Sequence, residues 1–161
     1  MRRRDREIKE HEEIVEILKQ GSVCHLAMCK DQMPYVIPML YVYDDNCVYF
    51  HCAEVGQKLD IIRENNNVCF EVQVNGTEII KNGGMPCDWG YAFQSVIGFG
   101  KAEIINEEAT KIKVYDLMVE KMRPTDYVPT EGQYVPKKIK YSFIIKVEID
   151  SISGKKWDGH K

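Results

Sequence analysis

From Val23 onward the chain is cut into short apolar runs by small polar turns, and that spacing limits the fold more than any other feature. Val23 to Met28 reads as a strand, Lys30 to Gln32 as its turn, and Pro34 to Tyr43 as a second strand. Asp44 to Asn46 turn the chain into a third, Cys47 to Phe50. A parallel crossover needs a dozen or more residues, so strands joined this tightly must run antiparallel. Strict alternation continues downstream, with Val68, Phe70, Val72 and Val74 on one face and Glu71 and Gln73 on the other. A long strand is expected from about Tyr91 to Ile105, bent at Gly98 and Gly100, and a last one from Ile139 to Asp150. Three stretches carry helical spacing instead: Lys9 to Gln20 with Ile14, Ile17 and Leu18 inward; a short helix with Leu59, Ile61 and Ile62; and a third with Val114, Leu117, Met118 and Met122, N-capped by Asn106. Six strands with three short helices imply a mainly β protein built on a closed or partly open antiparallel barrel.

One domain is expected over residues 1–161, with residues 1–8 as an N-terminal arm and 154–161 as a tail. A net charge of −3 supplies no domain-wide basic field, which argues against nucleic acid as a partner. The run Arg2, Arg3, Arg4, Arg6 is either a solvated arm or a reach over a partner subunit or an anionic ligand. Cys24, Cys29, Cys47, Cys52, Cys69 and Cys87 form no CxxC pair, and most lie in apolar runs; they read as small buried hydrophobes in a reducing cytoplasm. No apolar run reaches the ~20 residues of a membrane span, so no membrane partner is expected.

Chemistry concentrates in His51-Cys52-Ala53-Glu54-Val55-Gly56-Gln57-Lys58, which joins an apolar strand to a helix start. Backbone N–H groups at a helix start lack intrahelical partners and favour an anion, and Lys58 adds a full positive charge. The alternative is an ordinary loop with a solvated lysine. The second strand is unusual because Tyr35, Ile37, Met39, Tyr41 and Tyr43 fill one face while Val36, Leu40 and Val42 fill the other. A small barrel has one interior, so a helix, a flat ligand or a second subunit must cover the outer face. Pro34 and Pro38 cannot donate to a ladder, which confines them to an edge, a strand start or a bulge. Gly98-Phe99-Gly100 lacks the third glycine of a dinucleotide fingerprint and continues as strand. A zinc site from Cys24, His25, Cys29 and Cys52 fits no tetrahedral ligand spacing, and His25 reads as structural.

Met1-Arg2-Arg3 with Asp5-Arg6-Glu7, Pro34-Tyr35-Val36-Ile37-Pro38 followed by Tyr41, Tyr43 and Asp44, Val48-Tyr49-Phe50-His51 through Gly56 and Lys58, and Ser95-Val96-Ile97-Gly98-Phe99-Gly100 appear in an order that resembles the nitroimidazole-resistance-type flavoproteins. These belong to the pyridoxamine 5'-phosphate oxidase-like, FMN-binding split barrels, and the resemblance runs from about residue 1 to 156. It implies a six-stranded antiparallel split β-barrel of Greek-key type that forms a homodimer with FMN at the subunit interface. Val36, Ile37, Pro38 and Met39 would meet the isoalloxazine through their backbone; His51, Cys52, Ala53 and Lys58 would take the ribityl phosphate; Ser95 is a further cofactor candidate. Cys52 replaces a small hydroxyl residue common in the family, and Glu54 adds a nearby negative charge. The chain lacks the arginine-bearing C-terminal motif of true pyridoxamine-phosphate oxidases, which argues against that activity.

The expected function is therefore an FMN-dependent reductase of a small organic substrate, with nitroimidazole and other nitroaromatic compounds as one class. His51 is the candidate catalytic imidazole, against the alternative of a structural histidine. The alternatives are a flavin-binding or sensor module without catalysis, and a haem-binding split barrel. Trp157 either caps a neighbouring subunit's pocket or belongs to a loose tail.

Overall fold

The computed structural model describes residues 2–128 and 139–159. The strands are β1 (Glu7–Ile8), β2 (Val23–Lys30), β3 (Met33–Leu40), β4 (Val42–Asp44), β5 (Cys47–Ala53), β6 (Asn67–Ile79), β7 (Gly90–Ile105) and β8 (Ser142–Trp157), with helices α1 (His11–Gln20), α2 (Gln57–Glu64) and α3 (Glu108–Met122). All the pairings are antiparallel, in the order β3-β2-β6-β7-β8-β5-β4, with β1 added along β8. The two ends of that order, β3 and β4, are separated in the chain by Tyr41 alone. A flat sheet cannot place its outermost strands one residue apart, so this sheet must curl until its edges nearly meet. They approach without pairing, which leaves a barrel open along one slit.

The mainly β, split-barrel expectation holds, but the six strands become eight among the described residues. The predicted strand from Pro34 to Tyr43 breaks at Tyr41, whose hydroxyl turns inward to donate to the Leu18 carbonyl at 2.5 Å. A two-residue β1 accounts for the other addition. The last strand starts at Ser142 rather than Ile139 and runs on to Trp157, so residues 154–157, expected as tail, are paired strand.

The interior is filled by the inward parity of each strand: Cys24, Leu26 and Met28 from β2, Val68, Phe70 and Val72 from β6, and Val48 and Phe50 from β5. Gly98 and Gly100 share the inward parity of β7. A Cβ on Gly98 would overlap the Phe70 ring, and one on Gly100 would overlap the Glu148 carbonyl, so the two glycines let wide neighbours fill the barrel. Ile14, Ile17 and Leu18 of α1 and Leu59, Ile61 and Ile62 of α2 join this same core. Burying each such side chain contributes ~1.5–3 kcal/mol. Helix α3 packs outside the barrel, where Val114 and Met118 bury Val42, Cys47, Tyr49 and Ile144. Its N-cap is Glu107, not Asn106; the Asn106 side chain instead accepts from buried Lys111 at 2.6 Å. Among the described residues, none of the helices is long and apolar enough to cross a membrane.

Candidate functional site

Strand β5 alternates so that Cys52 is buried while His51 and Ala53 are exposed, and the chain then turns into α2 through Gly56. Gly56 sits at φ +141°, a conformation L side chains rarely adopt. From there its carbonyl accepts the N–H groups of Leu59 and Asp60 at 2.9 and 3.4 Å. No side chain caps this helix start. Lys58 curls back over it, its Nζ 3.7 Å from where a Gly56 Cβ would stand, and it has no hydrogen-bond or ion-pair partner among the described residues. Burial pushes the Cys52 thiol up, and the Lys58 ammonium pulls the other way, which places that charge close to the strand end. Uncapped N–H groups, a free ammonium and a neutral thiol make a cradle for a phosphate-sized anion.

His51 lies with its ring centroid 6.0 Å from that of Tyr115 on α3, and partial burial pulls the imidazole below its ordinary pKa. It is therefore neutral near pH 7, with one ring nitrogen to donate and one to accept. Tyr115 is held in turn: its hydroxyl bonds Ser142 at 2.8 Å, Ser142 donates to the Ile139 carbonyl at 3.0 Å, and Lys111 donates to that same carbonyl at 3.0 Å. Sequence reasoning missed Tyr115 and Lys111, because they fall on an amphipathic helix whose period announces only its apolar stripe.

On β3, Tyr35, Ile37 and Met39 pack on the core, while Val36 and Leu40 are exposed at 62 % and 45 %. The outer face that needs a cover is therefore real, and α3 covers only its Val42 part. Register aligns Val36, Ala27, Cys69 and Phe99 in one row across β3, β2, β6 and β7, with Ile97 one row away and Val23 beside Leu40. Phe99 is 54 % exposed. An apolar row of this kind across four strands of an exposed sheet is the mark of an interaction face.

Val36 to Met39 lie on the strand that approaches β5 across the slit, so the structure brings this segment and the His51 to Lys58 segment to its two sides. Ser95 does not join the His51 segment within the chain. His51 stands opposite Ile144, which stands opposite Ile105, and Ser95 lies ten residues farther along β7, a strand path of about 33 Å. Ser95 shares the outward parity of Ile97 and Phe99. Trp157 is no loose tail: it ends β8 opposite Phe93, lies against Gly90, and carries the Arg6 guanidinium 4.3 Å above its ring. His25 points outward to Glu71 at 3.1 Å while Cys24 points inward, so these neighbours cannot share a metal ion.

A sequence model of the pyridoxamine 5'-phosphate oxidase family matches residues 10–156. An uncharacterized protein of Rhizobium meliloti (strain 1021) is 32% identical over 66 residues, which are 40% of this chain and 42% of that one, so the chain spans under half of that relative's length. Among solved structures, a proposed 5-nitroimidazole antibiotic resistance protein of Bacteroides thetaiotaomicron superposes with a TM-score of 0.75 at 23% identity, covering 92% of this chain and 85% of that one. The flavocytochrome Anf3 of Azotobacter vinelandii gives 0.78 at 22% identity, with 98% and 72% covered. An FAD-binding protein of Mesorhizobium loti gives 0.68 at 20% identity, with 95% and 98% covered. At these identities the likeness establishes the fold.

Proposed function

The chain belongs to the pyridoxamine 5'-phosphate oxidase family, and from that premise we propose that it binds FMN and works as a flavin-dependent reductase of a small organic substrate. The observation that carries this reading is the uncapped start of α2, with Lys58, unpaired among the described residues, over it, at one side of a barrel slit whose other side is an apolar edge strand. Lys58 and the N–H groups of the α2 start would hold the ribityl phosphate, with Ala53 leaving room and Cys52 neutral. Val36, Ile37, Pro38 and Met39 would line the ring, with the backbone groups of Val36 and Pro38 being those that β2 does not use. The two parts need each other. A helix start contributes only ~0.3–1 kcal/mol toward an exposed anion, whereas micromolar affinity requires ~8 kcal/mol, so the ring must be buried.

Burial of the ring calls for a second copy. The Val36–Ala27–Cys69–Phe99 row is the proposed homodimer face, and Ser95, on the same outer face, would reach a flavin only as the contribution of the partner protomer. When bound, the flavin supplies the electron transfer. His51, neutral and braced by Tyr115, is the proposed catalytic residue and would position the substrate by donating a hydrogen bond from its one ring N–H. Nitroimidazole and other nitroaromatic compounds are the proposed substrate class, on the likeness to the Bacteroides thetaiotaomicron protein.

The visible absorption spectrum of purified protein tests the reading. A yellow flavin spectrum, with bleaching by a reductant and recovery on adding a nitroaromatic acceptor, is expected. Colourless protein that takes up no added FMN refutes flavin binding, and a bound flavin that never turns over leaves only a binding module. A dominant haem band would replace FMN with the cofactor that the flavocytochrome neighbour's name implies.

A further inference from the structure

His25 and Glu71 have no part in holding the flavin, yet they lie in the middle of the outer sheet face assigned above to the homodimer. The register sets His25 on β2 opposite Pro38 on β3 and opposite Glu71 on β6, and it sets Glu71 opposite Ile97 on β7. All four side chains share the outward parity of their strands. The apolar row Val36–Ala27–Cys69–Phe99 borders them on one side. On the other side stand Leu40 and Val23, continued by Gln73 and Ser95. The pair is therefore ringed by residues without charge. Nδ1 of His25 lies 3.1 Å from a Glu71 carboxylate oxygen, and the two side chains are 52 % and 33 % exposed. Water solvates both groups in the free chain, and a second copy seated on this face would remove it.

Each element around the imidazole can be checked for charge. β3 brings none, since Pro38 is flanked outward by Val36 and Leu40. β6 brings Glu71; Gln73 is neutral, and burial pushes the Cys69 thiol up. On β7, Lys101 stands four residues from Ile97, about 13 Å along the strand, and donates to Asn67 at 2.9 Å. α2 meets the far end of β2, where Lys30 is paired with Glu64. Lys121 acts on Cys24, whose side chain lies on the opposite face of β2. Taking a carboxylate out of water without a counter-charge is strongly unfavourable, and a neutral imidazole leaves Glu71 in that state. A protonated imidazole makes each pair a neutral unit joined by a charge-assisted hydrogen bond. One group of each sign on adjacent strands also complements a second copy of the same face turned over, and no surface of a single sign. We propose that this face is a pH-governed contact with a second copy of the chain, in which each protomer takes up a proton at His25 as the two associate. The inference rests on the homodimer reading. A dimer that binds more protons than two free chains is favoured by mass action as pH falls through the histidine range, about 6.5.

Sedimentation of fluorescently labelled full-length protein in saturating FMN, diluted into the nanomolar range at pH 6, 7 and 8, measures the dimerisation constant. With one imidazole per protomer taking up a proton, the dimer should be at least about tenfold tighter at pH 6 than at pH 8. Where dilution does not dissociate it, exchange of labelled for unlabelled protomers reads the same preference, and exchange should be about tenfold slower at pH 6. The chain has four histidines, so two variants assign the effect. His25→Gln keeps a donor for Glu71 but takes up no proton, and it should flatten the pH dependence. Glu71→Gln leaves a protonated imidazole without a counter-charge, so the pH dependence should reverse its sign. A parent dimer that ignores pH, one that tightens as pH rises, or a pH dependence that survives unchanged in His25→Gln overturns the proposal. A chain that is monomeric at every pH removes the face on which the proposal rests. A dimer that Phe99→Asp dissociates but that ignores pH removes the proton uptake and leaves the homodimer reading standing.

Discussion

Replacing Lys58 with alanine separates the phosphate from the rest of the flavin. Its Nζ lies above the start of α2, 3.7 Å from the position of a Gly56 Cβ, with no competing partner among the described residues, so an arriving phosphate meets a free donor. The side chain is half-buried, which rules out using an interior dielectric for the pair. A hydrogen bond to a charged group in such a setting is worth ~1.5–3 kcal/mol, and at ~1.4 kcal/mol per decade the variant should lose about 10- to 150-fold in FMN affinity. Riboflavin has no phosphate, so its affinity should be unchanged. The uncapped N–H groups of α2 remain in the variant and should preserve a preference for FMN over riboflavin of about 2- to 5-fold, the equivalent of ~0.3–1 kcal/mol. Flavin fluorescence titrations of both proteins with both ligands measure all four constants. Equal losses for FMN and riboflavin would refute the phosphate role of Lys58, and no loss for either would place the phosphate elsewhere.

Phe99→Asp places a charge in the middle of the exposed apolar row, where burial of a phenylalanine is worth ~1.5–3 kcal/mol per copy. Sedimentation should find a dimer for the parent and a monomer for the variant, and a variant that stays dimeric would reject this face. Gly98→Ala forces a methyl group against the Phe70 ring, at a cost of ~1–3 kcal/mol visible as a lower Tm; an unchanged Tm would mean that the β6–β7 register is wrong. Burial pulls Lys121 down to about 8 from an ordinary 10.5, so between those pH values the unfolded chain binds more protons and stability rises with pH. Lys121→Met should lose that rise in denaturant titrations, and a pH-independent difference between the two proteins would refute it.

Sequence alone reached the helices and most of the strands because period and turn chemistry are local. It missed what distant residues impose. The break at Tyr41 depends on the Leu18 carbonyl, 23 positions earlier, and on Lys121, whose Nζ lies 3.8 Å over the same ring. Gly154-Lys155-Lys156 looked like a polar tail, yet Gly154 is buried strand because a Cβ there would crowd Ile8 and Ile14. The candidate cradle from His51 to Lys58 was legible since it is contiguous. Tyr115 and Lys111 were not, since their neighbours Ser142 and Ile139 come from across the fold.

The prolines of β3 explain why the barrel stays split, and they lead to a prediction about its edge. Pro34 stands opposite Cys29 and Pro38 opposite His25, and neither can donate to β2, so these must be the positions whose backbone groups point away from the ladder. Alternation then assigns Val36 and Leu40 to the same outward set, and Tyr35, Ile37 and Met39 to the paired one. The slit edge of β3 thus offers two N–H groups and a row of carbonyls, too few donors to zip up against the opposite edge and enough to bond a flat heterocycle. Amide exchange reads this directly. Without flavin, Val36 and Leu40 should exchange far faster than Tyr35, Ile37 and Met39. Saturating FMN should slow Val36 while leaving Lys101, three strands away on β7, unaffected. Protection of Val36 before any flavin is added would mean that the slit is closed and that β3 is no ligand edge.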